Sequence, residues 1–190
     1  MLSVEASAFT SALARCKRVG RSSYPILSGV RLVAEDGRLA CWRSDLTLTV
    51  ESLVPASKGS LDVVVPFDLL HDYLATADGP VAIAKKDGRL IVEARGSHVA
   101  LPMLRSEDWP LIEHTEGETV ELGEADVAAI RAVAYAAGTD PARATLTGLH
   151  FTGERVEATD SYRLGRAPCT VPECLIPASA LVELEPGKMT

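Results

Sequence analysis

The hydrophobic and polar positions of the first 110 residues alternate between a helical and a strand period. Apolar residues recur at helical spacing over residues 9–19, before Gly20, and again over residues 66–74, which start with a proline. Apolar and polar residues alternate on both sides of Asp36-Gly37, and this pattern predicts a hairpin. Similar alternation predicts strands at residues 46–51, 61–65, 81–84, 90–94 and 98–101. The pattern predicts an α+β domain with antiparallel sheet.

The same order of elements recurs in the second part of the chain. Residues 127–137 repeat the amphipathic helical pattern of residues 9–19. Three ordered matches follow, which pair residues 27–30 with 146–149, 44–45 with 159–160, and 65–70 with 176–181. We therefore predict two repeated units, each with helices packed on antiparallel sheet, over residues 1–118 and 119–190.

The second predicted unit is incomplete. Only nine residues follow Leu181, so the strands that close the first unit have no counterpart. An unpaired sheet edge invites pairing with another strand. We expect either that the sequence is part of a longer chain or that another chain covers this edge.

Charge is distributed unevenly. The chain has a net charge of −7, which argues against a protein that coats nucleic acid with its whole surface. Residues 1–24 nevertheless carry four basic residues and one acidic residue. Arg15, Lys17 and Arg18 lie on the polar side of the first predicted helix, and Arg21 follows it. The pattern predicts an amphipathic helix with a cationic outer face. The alternative is an ordinary solvated helix whose Arg and Lys residues are favoured in the last turn by the helix dipole.

Most site chemistry has no support in the sequence. The four cysteines form no CxxC pair and the four histidines show no common metal spacing, so we expect reduced thiols in a cytoplasmic protein and no metal. Motifs for nucleotide binding or acyl transfer are absent, and we expect no cofactor and no catalytic residues. No apolar run is long enough to span a membrane, and we expect no secretory signal, because the first residues lack a basic stretch followed by an apolar core. Asp45 and Asp160 are expected to cap turns.

Several segments resemble, in family order, the bacterial sliding clamp, the beta subunit of DNA polymerase III. The resemblance rests on residues 24–30, 43–46 and 146–149, and above all on the Thr-Asp-x-x-Arg-Leu motif at residues 159–164. Residues 107–110 are similar to the segment that closes the family's first domain. The resemblance implies three such domains per chain in a head-to-tail dimeric ring, with helices lining the hole and sheets outside. This chain would hold the first domain and about two thirds of the second.

The resemblance also implies two binding surfaces. Duplex DNA would contact a set of basic residues, namely Arg15, Lys17, Arg18, Arg21, Arg131 and Arg143. Short linear peptides of polymerases, the clamp loader and repair proteins would bind a pocket lined by Leu146, Thr159, Ser161, Tyr162, Arg163 and Leu164. Read without the resemblance, Asp160 and Arg163 would simply pair within a turn.

The implied function is that of a processivity factor and not of an enzyme. A sliding clamp encircles duplex DNA and tethers the polymerase by raising its effective concentration. The alternative is a truncated, clamp-like interaction module that binds replication proteins without forming a ring.

Overall fold

The computed structural model describes residues 1–20, 22, 24–46, 48–110, 120–181, 184 and 187–189. The chain divides into two compact units, residues 1–112 and 113–190. The boundary predicted between residues 118 and 119 falls on residues outside this description, and the predicted DNA contact Arg21 also lies outside it.

The first unit combines two helices with two antiparallel sheets. Its elements are β1 (Leu2–Glu5), α1 (Ala6–Cys16), β2 (Gly29–Glu35), β3 (Arg38–Ser44), β4 (Thr49–Pro55), β5 (Leu61–Pro66), α2 (Phe67–Leu74), β6 (Pro80–Lys86), β7 (Arg89–Ala94) and β8 (Ser97–Pro102). One sheet has the strand order β4-β3-β2-β5 and the other β1-β6-β7-β8. Phe9 and Leu13 of α1 and Leu70 and Leu74 of α2 are buried in one hydrophobic core with both sheets.

The first helix ends earlier than the sequence predicts. It spans Ala6–Cys16, and residues 17–19 form a turn instead of a further helical turn. Arg43 explains this ending, because its Nη1 donates hydrogen bonds to the carbonyl oxygens of Cys16 and Val19, each at 3.2 Å. The Cys16 carbonyl also accepts a hydrogen bond from Val19 N, three residues further on, at 3.3 Å, so the chain closes in a tighter turn and not in a further turn of α-helix.

The third strand of this sheet begins later than predicted. β4 starts at Thr49, while Leu46 has a positive φ of 72° and so turns the chain. Asp45 accepts a hydrogen bond from the backbone N–H of Leu48 at 2.8 Å. The expectation that Asp45 caps a turn is confirmed, and the turn displaces the strand start.

The second unit repeats part of this arrangement. Its elements are β9 (Val120–Leu122), α3 (Glu124–Ala134), β10 (Gly148–Phe151), β11 (Arg155–Thr159), β12 (Leu164–Pro168), β13 (Cys174–Pro177) and β14 (Gly187–Met189). The main sheet has the order β12-β11-β10-β13, which matches β4-β3-β2-β5 strand for strand. Gly148 pairs with Pro177 as Gly29 pairs with Pro66. The predicted internal repeat is therefore present in the fold.

Two details of the second unit differ from expectation. After Pro177 the described residues form a single 3-10 turn, Ala178–Leu181, where the first unit has the α-helix α2. We expected the second unit to lack every counterpart of the strands that close the first unit. One counterpart is present, because β14 pairs with β9 as β6 pairs with β1.

Among the described residues, no helix has the length and apolar character that a membrane crossing requires. The same residues hold no group of three or more His, Cys, Asp or Glu side chains placed to bind a metal ion. All four cysteines are free, and three of them are buried.

Candidate protein-binding and DNA-binding surfaces

An open cavity of about 300 Å³ lies on the main sheet of the second unit. Leu149, Phe151 and Val156 point into the core against α3. Because neighbouring residues of a strand point to opposite faces, His150 and Glu157 lie on the outer face, and both line the cavity. The lining is completed by Thr145, Leu146, Gly148, Ala158, Thr159, Leu164 and Leu175. We call this feature the open cavity.

The apolar part of the open cavity comes from three leucines on separate elements. Leu164 and Leu175 are 53% and 48% exposed, which is high for leucine side chains. Leu146 belongs to the 3-10 turn before β10, and its carbonyl oxygen accepts a hydrogen bond from Gly138 N at 2.7 Å. Exposed leucines that converge on a concavity are suited to an apolar side chain of a partner.

Three of the six predicted pocket residues line the open cavity, and three do not. Leu146, Thr159 and Leu164 are brought together, whereas Ser161, Tyr162 and Arg163 lie on the turn between β11 and β12. Tyr162 is 93% exposed on this turn. The lining of the open cavity thus includes half of the predicted set, and peptide contact by the three residues of the turn stays a prediction.

Asp160 organises that turn. Its Oδ1 accepts hydrogen bonds from the backbone N–H groups of Tyr162 and Arg163, at 2.9 and 3.0 Å. The Arg163 guanidinium pairs with Asp160 Oδ2 at 2.9 Å and lies 5.4 Å from the ring centroid of Tyr135. The backbone hydrogen bonds from Tyr162 and then Arg163 lower the pKa of Asp160. The structural role expected for Asp160 is confirmed.

Sequence reasoning missed the polar and cross-strand residues of the cavity. His150 and Glu157 form a directly opposed pair on β10 and β11, and Leu175 lies opposite His150 on β13. Glu157 Oε1 also accepts a hydrogen bond from Arg155 Nε at 2.6 Å and forms an ion pair with Arg166 Nε at 3.5 Å. Once the two repeats are aligned, the alternation of side chains along β10 predicts that His150 lies on the same face as Gly148. No local motif marks Leu175.

The matching face of the first unit is filled by that unit's own chain. Leu27 and Val64 correspond to Leu146 and Leu175 of the cavity, by their registers with Gly29 and Pro66. They are buried against Trp109, and Leu104 packs on the same cluster. Leu104 N donates to the Val64 carbonyl at 2.8 Å, so the covering segment runs along β5. The repeat therefore presents one self-filled and one open version of the same site.

The predicted DNA contacts of the first unit lie at the end of α1. Arg15 and Lys17 are exposed and Arg18 is half-buried. Arg15 Nη1 donates to the hydroxyl of Ser52 at 3.3 Å, which leaves its other donors available. Asp45 Oδ2 accepts from Gly20 N at 3.3 Å and ties the following loop to the turn before β4.

The second unit offers weaker cationic positions. Arg131 Nη2 donates to the carbonyl oxygen of Leu184 at 2.6 Å. Arg143 pairs with Asp140 at 3.4 Å and donates to the Ser161 hydroxyl at 3.0 Å. Both guanidinium groups remain exposed, but each already has an acceptor within the unit.

The repeated fold, with its filled and open sites, is of the DNA-clamp type. The family described as "DNA polymerase III beta subunit, N-terminal domain" matches residues 1–113. The chain belongs to this family. A solved structure of the DNA polymerase III subunit beta from Pseudomonas aeruginosa superimposes with a TM-score of 0.83 at 24% identity, over 96% of this chain and 55% of that one.

Curated relatives of this chain are named as beta sliding clamps. The beta sliding clamp of Bacillus subtilis is 27% identical over 86% of this chain and 50% of its own length. The beta sliding clamp of Streptomyces coelicolor is 31% identical over 75% of this chain and 40% of its own length. The chain thus spans about half the length of the curated relatives it matches. Their printed name agrees with the clamp family that the sequence motifs indicate.

Proposed function

We propose that this chain forms part of a DNA sliding clamp that encircles duplex DNA and tethers a replicative polymerase. The carrying observation is the open cavity in the second unit, at the position where the first unit buries its own Leu104 and Trp109. A site that binds a chain segment in one repeat is well shaped to bind a segment of another protein in the other.

The proposed partners bind through short linear peptides. The three leucines of the cavity would hold aliphatic or aromatic peptide side chains, and Thr159 and His150 would supply polar contacts. The peptides would come from DNA polymerase, the clamp loader and repair proteins. Arg163 and Tyr162, on the adjacent turn, would contact peptide residues outside the cavity.

The proposed DNA surface suits sliding. A ring holds DNA by topology, so the phosphate contacts need not be strong, and contacts without base readout leave a protein free to move along the duplex. Cations at the end of α1 would provide this attraction in a chain whose net charge is −7. Arg131 and Arg143 would contribute less because internal acceptors already engage them.

Peptide binding can be tested with two matched leucine variants. Leu164→Glu places a charge in the open cavity, while Leu69→Glu changes a leucine of α2 with the same 53% exposure. We expect Leu164→Glu to weaken binding of a synthetic clamp-binding polymerase peptide at least tenfold, measured by calorimetry, and Leu69→Glu to leave it unchanged. Equal affinities in all three proteins would remove the cavity as the peptide site.

Ring formation needs a separate measurement. Light scattering gives the solution mass, and retention on closed circular DNA that is lost after linearisation reports encirclement. Such topological retention would support a ring in which this chain takes part. A monomer that binds the peptide but shows no topological retention would favour the alternative, a clamp-like interaction module.

A further inference from the structure

A second concave surface lies on the first unit, on the outer face of the β4-β3-β2-β5 sheet. It has a volume of about 520 Å³ and lies near the hairpin turn at Asp36-Gly37. We call it the outer groove, and its lining residues are Val33, Glu35, Asp36, Arg38, Ala40, Trp42, Glu51 and Leu53. It differs from the open cavity, which lies in the second unit.

The floor of the outer groove is apolar and accessible. Leu32 of β2, Leu39 of β3 and Val54 of β4 are buried in the core. The residues next to them along each strand therefore lie on the opposite face of the sheet. On that face Leu53 is 51% exposed and lies directly opposite Ala40. Trp42 closes one end of the floor, where it packs against the cluster that holds Trp109. The covering segment of the first unit therefore ends where the groove begins.

The rim of the outer groove is acidic. It carries three carboxylates, Glu35, Asp36 and Glu51, and one guanidinium, Arg38, which give a local charge of −2. Among the described residues, none of these three carboxylates takes part in a salt bridge. By contrast, Asp62 on the same sheet is held by Arg31 through two hydrogen bonds at 3.0 and 2.8 Å.

The repeat shows that this charge is not required by the fold. The pair Trp42 and Glu51 corresponds to Glu157 and Arg166 in the second unit, since both pairs lie directly opposite on equivalent strands. Ala40 likewise corresponds to Arg155. The same part of the sheet is thus acidic with an apolar floor in one unit and arginine-rich in the other.

We propose that the outer groove binds an extended protein segment in which basic residues alternate with aliphatic ones. The aliphatic side chains would bury against Leu53, Ala40 and Trp42, while lysine or arginine side chains would pair with Glu35, Asp36 and Glu51. Alternation suits the site because side chains of an extended segment point to opposite sides in turn. The acidic rim repels a phosphate chain, which makes the partner a protein and not a nucleic acid. The inference is independent of the peptide-binding role proposed for the open cavity.

The test uses three synthetic peptides that differ only in charge. Acetyl-Lys-Leu-Lys-Leu-Lys-amide, the same peptide with Ser for Lys, and the same peptide with Glu for Lys are titrated into the 190-residue chain at low salt. Amide chemical shifts of β2, β3 and β4 report binding and its location. We expect the basic peptide to bind at least tenfold more tightly than the acidic one. Equal affinity of the three peptides, or no shift in these strands at millimolar basic peptide, would overturn the proposal.

Two variants locate the site. Glu51→Arg introduces the charge found at Arg166 and is expected to weaken binding of the basic peptide at least fivefold, while Glu93→Arg makes the same exchange on an exposed position of β7 and is expected to leave it within twofold. Leu53→Ser, at an exposed position, tests the apolar floor without removing a core side chain. Binding that is unchanged by both Glu51→Arg and Leu53→Ser would contradict the assignment.

Discussion

Gly148 lies so close to Leu175 that a Cβ atom on the glycine would come within 2.9 Å of Leu175 Cδ1. The same Cβ would lie 3.1 Å from the carbonyl oxygen of Ile176, which cannot move without disturbing the pairing of β10 with β13. Gly29 repeats this relationship, with a Cβ position 2.7 Å from Val64 Cγ1 and 2.9 Å from the carbonyl oxygen of Val65. Close strand approach therefore explains glycine at the start of both strands.

Gly148→Ala should destabilise the chain by about 1–3 kcal/mol, because overpacking forces the neighbouring strand to shift. It should also weaken peptide binding, since Gly148 and Leu175 both line the open cavity. Urea unfolding and peptide titration measure the two effects. Gly59→Ala is the control, because its nearest neighbour would be 3.4 Å away and the added methyl group fits. Equal stability of the two variants would show that the close approach at Gly148 is not maintained in solution.

Arg43→Met should destabilise the first unit by about 2–3 kcal/mol. The buried guanidinium donates to the carbonyl oxygens of Cys16 and Val19 and lies 4.1 Å from the ring centroid of Phe67. Methionine keeps much of the apolar volume but leaves both carbonyls without this donor. Thermal unfolding provides the measurement, and Arg105→Ala, at a side chain that is 77% exposed, should cost little. A variant as stable as the parent protein would show that Arg43 does not hold the end of α1.

Arg15→Ala combined with Arg21→Ala should weaken association with duplex DNA and flatten its dependence on salt. Each lost phosphate contact lowers the slope of log affinity against log salt by about 0.9, so two contacts give a change of roughly 2. Fluorescence anisotropy across a salt series measures the slope. Lys86→Ala combined with Arg89→Ala, on the hairpin between β6 and β7, controls for the loss of two positive charges. An unchanged slope in the first variant would remove this cationic face from the DNA surface.

The ionised carboxylate of Asp126 should stabilise the fold, and this stabilisation should be lost in acid. Hydrogen bonds from the backbone N–H groups of Thr170 and then Gly123 lower the pKa of Asp126 below its usual 3.8. A carboxyl group with a lowered pKa in the folded state stabilises the fold above its unfolded pKa, and this contribution is lost as the pH falls through the folded value. The stability difference between the parent protein and Asp126→Asn should therefore be largest above about pH 4 and shrink below it.

Urea unfolding between pH 2 and pH 7 measures this difference. Asp87→Asn, on an exposed hairpin turn, provides the control and should show no comparable pH-dependent difference. If the effect of Asp126→Asn is the same at every pH, the hydrogen bonds to Thr170 and Gly123 do not favour the ionised carboxyl group.

The cysteines should differ in reactivity with their burial. Desolvation raises the pKa of the Cys16 thiol to about 11, and burial raises the pKa of Cys41 as well. At pH 8 the thiolate fraction of Cys16 is then about one in a thousand, and the thiolate is the reactive form. Cys174 is half-buried and should be alkylated first by iodoacetamide, as peptide mass spectrometry can show. Labelling of Cys16 at the rate of Cys174 would indicate that the core opens readily.

The sequence by itself determined the class of fold, the repeat and three of the nine residues that line the open cavity. Hydrophobic periodicity marks α1, α2 and most of the strands because each element buries one face, and the two glycine-led strands recur because the same close approach is needed twice. The resemblance carried by residues 159–164 points to the edge of the sheet formed by β12, where Thr159 and Leu164 line the open cavity. Leu146, Thr159 and Leu164 could be found in this way because each lies next to a recognisable local motif.

Only the tertiary structure decided which side chains share a face across strands. Leu175 joins Leu146 and Leu164 through the pairing of β13 with β10, and no local pattern encodes that register. Hydrogen bonds from Tyr162 and Arg163 to Asp160 fix the turn that carries three further predicted residues, and the sequence motif alone does not show that this turn lies outside the cavity lining. The early end of α1 likewise depends on Arg43, which lies 27 residues from Cys16 in the sequence. The local spacing of apolar residues determines which segments form helices and strands. Contacts between residues that are distant in the sequence determine where these helices and strands end and which side chains share a surface.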